Sequence, residues 1–285
     1  MRARLSLEGL SLGDAIGEQV FRRRYFPDAI DDVYPWTDDT ALAIPIVEAL
    51  EAAGFVTADD LARRFGAAWA AGPRRGYGAG ASELLEKLHA GAAWEAESAA
   101  LFGGGSYGNG AAMRVAPLGA WFAGAPARAA EQAAVSARTT HAHPDGIAGA
   151  VAVAVAAATV ADADDAGAWL TLVAGITGGP VGDGILAASK ILPLAPLDAA
   201  AQLGDGQRIA AVDTVPFALW CVARRLADGA AGYEAAVVDG ITAAADKDTV
   251  AAIIGGVLVL RTGIAGLPAA WRARREPLPA GLGWP

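Results

Sequence analysis

A chain of 285 residues is long enough for one large core or two small ones, and 54% hydrophobic with only 19% charged residues excludes a disordered chain. Twenty-two Lys and Arg against 31 Asp and Glu give a formal charge of −9, which argues against generic binding to nucleic acid. The single cysteine, Cys221, excludes an intramolecular disulfide, and its apolar setting FALWCVARRL predicts a buried, inert thiol.

In chain order, the N-terminal MRARLSLEGLSLGDAIG carries positive charge, but Glu8, Gly9 and Asp14 interrupt its apolar stretch, so no secretory signal is expected. Alanine- and leucine-rich segments separated by Gly, Pro and Asp clusters follow. They predict helices over 40–53, 58–71, 80–90, 126–138, 145–162, 214–227 and 248–261, and hence an all-α protein. VAVAVA at 151–156 alternates like a strand, yet alanine is a poor strand former and the apolar run around it is long, so it reads as a buried helix. That run, 147–161, has 15 residues and falls short of the about 20 needed to span a membrane. A soluble, cytoplasmic chain with no membrane partner is expected. GGGS at 103–106 reads as a linker between domains or as a loop within one, and the packed Met113, Val115 and Leu118 that follow favour the loop. One domain over 1–270 is expected, with an irregular surface tail over 271–285.

Two short segments can carry chemistry. In YPWTDDTALA, Asp38 and Asp39 stand beside Thr37 and Thr40 at the mouth of an apolar helix, where one acid or Thr37 serves as a helix cap. In AAADKDTVAAIIGG, Asp246, Asp248 and Thr249 occupy the same kind of position. Carboxylates and hydroxyls are hard oxygen donors, suited to Mg²⁺, Mn²⁺ or Ca²⁺, and four carboxylates brought together would repel unless a cation lay among them. Spacing alone leaves open whether the two clusters meet. Asp213 and Thr214 precede a helix in a similar way and read as a simple cap. The glycine-rich GSYGNG, 105–110, offers exposed N–H groups without Cβ bulk, and is a linker or a phosphate and ribose receptor. Of three histidines, His89 reads as a surface residue and His143 as a turn residue, while His141 lies at the entry to the 145–162 helix.

GDAIG (13–17), WTDDTALA (36–43), SYGNGAAMRVAPLG (106–119), TTHAHPDGIAGAVAVA (139–154) and DKDTVAAIIGGVL (246–258) occur in an order and spacing that resembles the ADP-ribosylglycohydrolases. The resemblance implies a compact, single-domain, orthogonal helical bundle with a centre of two divalent cations, Mg²⁺ or Mn²⁺. It implies hydrolysis of the glycosidic bond between ADP-ribose and an acceptor, by a monomer or small homo-oligomer. Thr37, Asp38 and Asp39 match the first ligand set, and Asp246, Asp248 and Thr249 the second. Asp38, Asp39 and Asp248 are the candidate catalytic acids, with the general base undecided among them. Ser106, Tyr107, Gly108, Asn109, Gly110 and His141 match substrate-binding positions. Two departures bear on this. Most of the family reads GGDTDT where this chain has AADKDT, so Lys247 is harmless if it faces outward and displaces a cation if it faces inward. Phe21 stands where many members carry a glutamate, for which Glu18 is the candidate substitute. The alternatives are a silent ADP-ribose-binding module and a structural protein that keeps only the fold.

Overall fold

The computed structural model describes residues 1–23 and 33–284. Among them are sixteen α-helices: α1 (Arg2–Arg23), α2 (Asp38–Ala53), α3 (Ala58–Ala71), α4 (Ala79–His89), α5 (Trp94–Ala100), α6 (Gly110–Met113), α7 (Ala116–Trp121) and α8 (Pro126–Arg138) in the first half. The second half contributes α9 (Pro144–Thr159), α10 (Ala166–Thr177), α11 (Gly179–Ala188), α12 (Pro196–Leu203), α13 (Ala211–Arg224), α14 (Gly232–Ala243), α15 (Lys247–Thr262) and α16 (Ala269–Arg272). No strand forms among the described residues; two isolated bridges pair Tyr34 with Arg275 and Gly108 with Ala210. All seven predicted helices are present, and VAVAVA lies within α9, as expected from its alanines. The predicted segments do not include α1, α10 and α14, nor the shorter α5, α6, α7, α11, α12 and α16, several of which span less than two turns.

The core is built on α9, α13 and α15, whose Ala, Val, Gly and Leu side chains are buried on nearly every side. Extended by a 3₁₀ turn to Asp162, the α9 segment runs 19 residues, longer than its apolar run. By length and composition it could cross a bilayer, but it is two-thirds buried inside the protein, as a core helix is. Cys221 is buried on α13, and burial pushes its thiol pKa well up, which makes it a poor nucleophile.

The contact that fixes the site is the antiparallel pairing of α1 with α15. Gly9, Gly13 and Gly17 recur every fourth residue on α1, so they lie along one face. A Cβ on them would stand 2.3 Å from the Gly255 carbonyl, 2.1 Å from the Ala251 carbonyl and 2.4 Å from the Lys247 carbonyl, respectively. The two backbones therefore touch, and the N-terminus of α15 is held beside Asp14 and Gly17. Gly13→Ala is expected to destabilise the fold by about 3 kcal/mol, because the obstructing atom is backbone and cannot move aside. Thermal denaturation measures the loss.

The C-terminal segment differs from the surface tail expected. Leu278 and Leu282 are buried, and Arg275 forms a buried ion pair with Glu8 at 3.1 Å while donating to Ser11 at 2.7 Å. Glu276 makes a two-pronged pair with Arg75, at 2.6 and 2.7 Å, and the Arg75 guanidinium lies 3.6 Å over the Trp36 ring. This segment carries no hydrophobic period, and its order comes from charge pairing with residues far away in the chain together with burial of Leu278 and Leu282.

Candidate active site

The first acidic set is assembled by a residue outside it. Asp14, fully buried on α1, accepts hydrogen bonds from the Thr37 amide (3.0 and 2.9 Å), the Thr37 hydroxyl (2.8 Å), the Thr40 amide (3.1 Å) and the Thr40 hydroxyl (2.5 Å). Thr37 is the N-cap of α2 but makes no side-chain cap. The Thr37 and Thr40 N–H groups at the start of α2 are taken by Asp14 instead. The capping role expected of Thr37 or one of its neighbouring acids therefore falls to a carboxylate from another helix. Relieved of it, Asp38 and Asp39 face elsewhere. The signal for Asp14 lay in GDAIG, where an acid interrupts an apolar helix face, a position that needs a partner if buried.

The second set begins with Asp246, N-cap of α15, which likewise makes no side-chain cap. Asn109 donates to the Asp246 carboxylate at 2.6 Å and to the Thr214 hydroxyl at 3.0 Å. Its Nδ2 is thus committed to aiming Asp246, while Asn109 itself also lines the cleft. Thr214 takes part in that alignment. Asp213 is not a cap either: α13 begins two residues earlier, and Asp213 accepts from the Arg208 amide at 2.8 Å and its guanidinium at 3.1 Å.

Asp38, Asp39, Asp246, Asp248 and Thr249 line one cavity of about 470 Å³ together with Ser106, Tyr107, Gly108, Asn109, Gly110 and His141. The clusters left apart by sequence spacing thus share one cleft. Thr37 lies beneath it, its hydroxyl held between Asp14 (2.8 Å) and Asp39 (2.9 Å). One hydroxyl proton cannot serve two ionised carboxylates, so one of the two acids carries a proton or a cation offsets its charge. Burial, and then mutual repulsion with Asp14 and Asp248, pushes Asp38 up to about 8. Burial pushes Asp246 to about 8 and Asp14 to about 7, and Asp39 rises well above the carboxylate range.

These residues fit a hard divalent cation. Asp39 Oδ1 is buried with no hydrogen-bond partner, and the donor set consists of carboxylate and hydroxyl oxygens. Among the described residues no group of three His, Cys, Asp or Glu side chains is placed to hold an ion by itself, and both acidic sets line the same cleft. Lys247 does not compete: its ammonium donates to the Ile241 and Ala244 carbonyls, at 2.5 and 2.6 Å, at the end of α14. Lys247→Thr is expected to leave the number of divalent ions per chain unchanged and to cost about 1 kcal/mol of stability through the lost helix-end contacts. Elemental analysis and thermal denaturation check the two parts. Phe21 is 58% exposed, and neither it nor Glu18 is among the residues lining the cleft.

Deeper in the cleft, Arg114 donates to the Thr140 hydroxyl at 2.8 Å, and that hydroxyl lies 2.8 Å from His141 Nδ1. The Nε2 edge of the ring lies against Gly108 and Gly110 of the glycine loop, and a Thr140 hydroxyl proton directed to Nδ1 puts the imidazole hydrogen on that edge. Burial and the nearby Arg114 push His141 down to about 3, which keeps the ring neutral. Arg114, buried over the Phe65 ring, was not singled out in the sequence; a lone Arg in AAMRV gave no pattern to separate it from a surface residue. His143 caps α9, accepting from the Asp145 amide at 3.1 Å, and meets the Tyr107 ring edge-on at 5.8 Å. Gly105, at φ +87°, packs against the Ala142–His143 backbone and serves the turn.

At the mouth, Tyr107, Phe102 and Ile209 are 52%, 71% and 62% exposed. Phe102 and Ile209 are the only non-glycine residues at positive φ among the described residues, at 54° and 53°. A β-branched or aromatic residue there costs about 1–2 kcal/mol, and such strain gathers at ligand sites.

The all-helical fold is similar to that of the solved "ADP-ribosylglycohydrolase-related protein complex". That chain matches with a TM-score of 0.59 at 24% identity, over 96% of this chain and 92% of its own. This chain belongs to the ADP-ribosylglycohydrolase family, whose model matches residues 1–281. Among relatives, it is 28% identical to ADP-ribosylhydrolase ARH3 of Homo sapiens over 273 residues, 85% of this chain and 74% of that one. An uncharacterized protein of Archaeoglobus fulgidus is 28% identical over 270 residues, 87% of this chain and 84% of its own.

Proposed function

We propose that this protein is a divalent-cation-dependent hydrolase that cleaves the glycosidic bond joining ADP-ribose to an acceptor, with two Mg²⁺ or Mn²⁺ ions held by Asp38, Asp39, Asp246, Asp248 and the Thr249 hydroxyl. The observation that carries this reading is the meeting of both acidic helix mouths in the cleft that also holds the glycine loop and His141. When bound, the cations offset the carboxylate charge and polarise water and ribose hydroxyls.

The ligand then lies along the cleft by the chemistry of its walls. The terminal ribose faces the acids. The diphosphate faces the loop Ser106–Gly110 and the Nε2–H of neutral His141, which donates without adding charge. The base meets the apolar rim of Phe102, Tyr107 and Ile209. In the reaction the water oxygen bonds to the anomeric carbon as the bond to the acceptor nitrogen or oxygen breaks, through an oxocarbenium-like state. Asp38, Asp39 or Asp248 takes the water proton, and the acceptor leaves with a proton in turn. Asn109 keeps Asp246 turned into the cleft, and Asp14 keeps α2 seated.

The test is release of ADP-ribose from ADP-ribosylated arginine or serine peptides, a nucleic-acid end or a small-molecule acceptor, with Mg²⁺ or Mn²⁺ and with EDTA. Cation-dependent turnover on at least one substrate is the expected result. Thermal stabilisation by ADP-ribose with no turnover on any acceptor would identify a silent binding module instead, for which Phe21 at the usual glutamate position is the specific ground.

A further inference from the structure

We propose that Arg208 reads an additional phosphate on the ligand, a phosphomonoester on the adenosine ribose of an ADP-ribosyl substrate. The inference rests on the orientation of ADP-ribose given above. Arg208 directly precedes Ile209, which forms the rim assigned to the base, and the turn that carries both is fixed to the glycine loop. The Asn109 amide donates to the Ile209 carbonyl at 3.1 Å, and the Ala211 amide to the Tyr107 carbonyl at 3.0 Å. The turn cannot drift from the ligand path without breaking these bonds.

The Arg208 guanidinium is placed and available. Its side chain is 70% exposed, and Asp213 accepts from Nη2 at 3.1 Å, while among the described residues no partner is seen for Nε and Nη1. Asp213 also accepts from the Arg208 amide, so a single carboxylate holds the strained turn and sets the direction of the fork. A guanidinium anchored on one side keeps its other donors oriented for a phosphate, which it can bind through two hydrogen bonds. Arg208 also stands on the ridge between the cleft and a second cavity of about 640 Å³, which leaves room for a group extending past the base.

The charge balance of the cleft gives the residue its selectivity. Of the other basic side chains lining it, Arg114 is buried and committed to Ser136 and Thr140, and His141 is neutral. The loop and His141 already serve the diphosphate. On a chain of charge −9, an extra phosphate is disfavoured wherever Arg208 does not meet it.

Calorimetric titration of the whole protein with ADP-ribose, 2′-phospho-ADP-ribose and 3′-phospho-ADP-ribose tests this. One phosphorylated nucleotide is expected to bind roughly tenfold more tightly than ADP-ribose. In Arg208→Ala the ratio of the two affinities should fall to about one, and in Arg208→Lys it should be intermediate, since a point charge replaces the fork. The two phosphorylated probes say which hydroxyl carries the group. No preference in the unaltered protein, or a preference retained in Arg208→Ala, overturns the proposal. Equal weakening of all three nucleotides in Arg208→Ala also overturns it, and assigns Arg208 to the diphosphate. Failure of every nucleotide to bind overturns the placement of ADP-ribose itself, and this inference with it.

Discussion

Asp39→Asn is expected to abolish divalent-cation binding and to lower hydrolysis of an ADP-ribosyl bond by roughly a hundredfold or more, while raising the thermal stability of the metal-free protein. The opposite signs follow from the position of the side chain. Asp39 is buried, one of its oxygens has no partner, and Asp14, Asp38, Asp246 and Asp248 all raise the cost of its charge. Asparagine keeps the shape and an oxygen that can meet the Thr37 hydroxyl, but removes the charge that a cation needs and the metal-free fold suffers from. Calorimetric titration with Mn²⁺ reads the first effect and thermal denaturation in EDTA the second. Unaltered Mn²⁺ affinity would remove Asp39 from the ligand set. A lower stability in EDTA would show that its carboxylate is already satisfied without a cation.

The metal-free protein is also expected to lose stability as pH rises, and a divalent cation to cancel that loss. Asp14, Asp38 and Asp246 titrate at about 7, 8 and 8 in the folded chain, far above the carboxylate range of the unfolded one. Groups with a raised folded pKa hold protons that unfolding releases, so their contribution is full below about pH 4 and is lost as pH climbs through 7 to 8. His141 acts in the opposite sense and lower down. Its folded pKa of about 3 means that stability is lost as pH falls below about 6.5. Above that value the carboxyls alone set the slope. Between about pH 6.5 and pH 8.5 in EDTA the melting temperature should fall by on the order of 5 °C, and by much less with Mg²⁺ present. Equal slopes with and without Mg²⁺ would mean that the carboxyls are not the cation's ligands.

The sequence alone determined the helical class, because apolar segments broken by Gly, Pro and Asp leave no other regular structure, and the matching bounds of α3 and α8 follow from that local grammar. It also marked both acidic clusters, the glycine loop and His141, since each is a short run of distinctive residues. Only the tertiary structure decided what these residues do. Asp14 seats α2, Asn109 aims Asp246, Lys247 closes the end of α14, and Arg275 with Glu276 ties down a tail that has no hydrophobic pattern. The reason is the same in every case: a buried polar group must find its partner in space, and these partners stand on other elements, so residue spacing carries no record of them. The glycines of α1 join the two accounts. Their fourfold spacing is written in the chain, but only the packed backbone of α15 shows why a side chain has no room there.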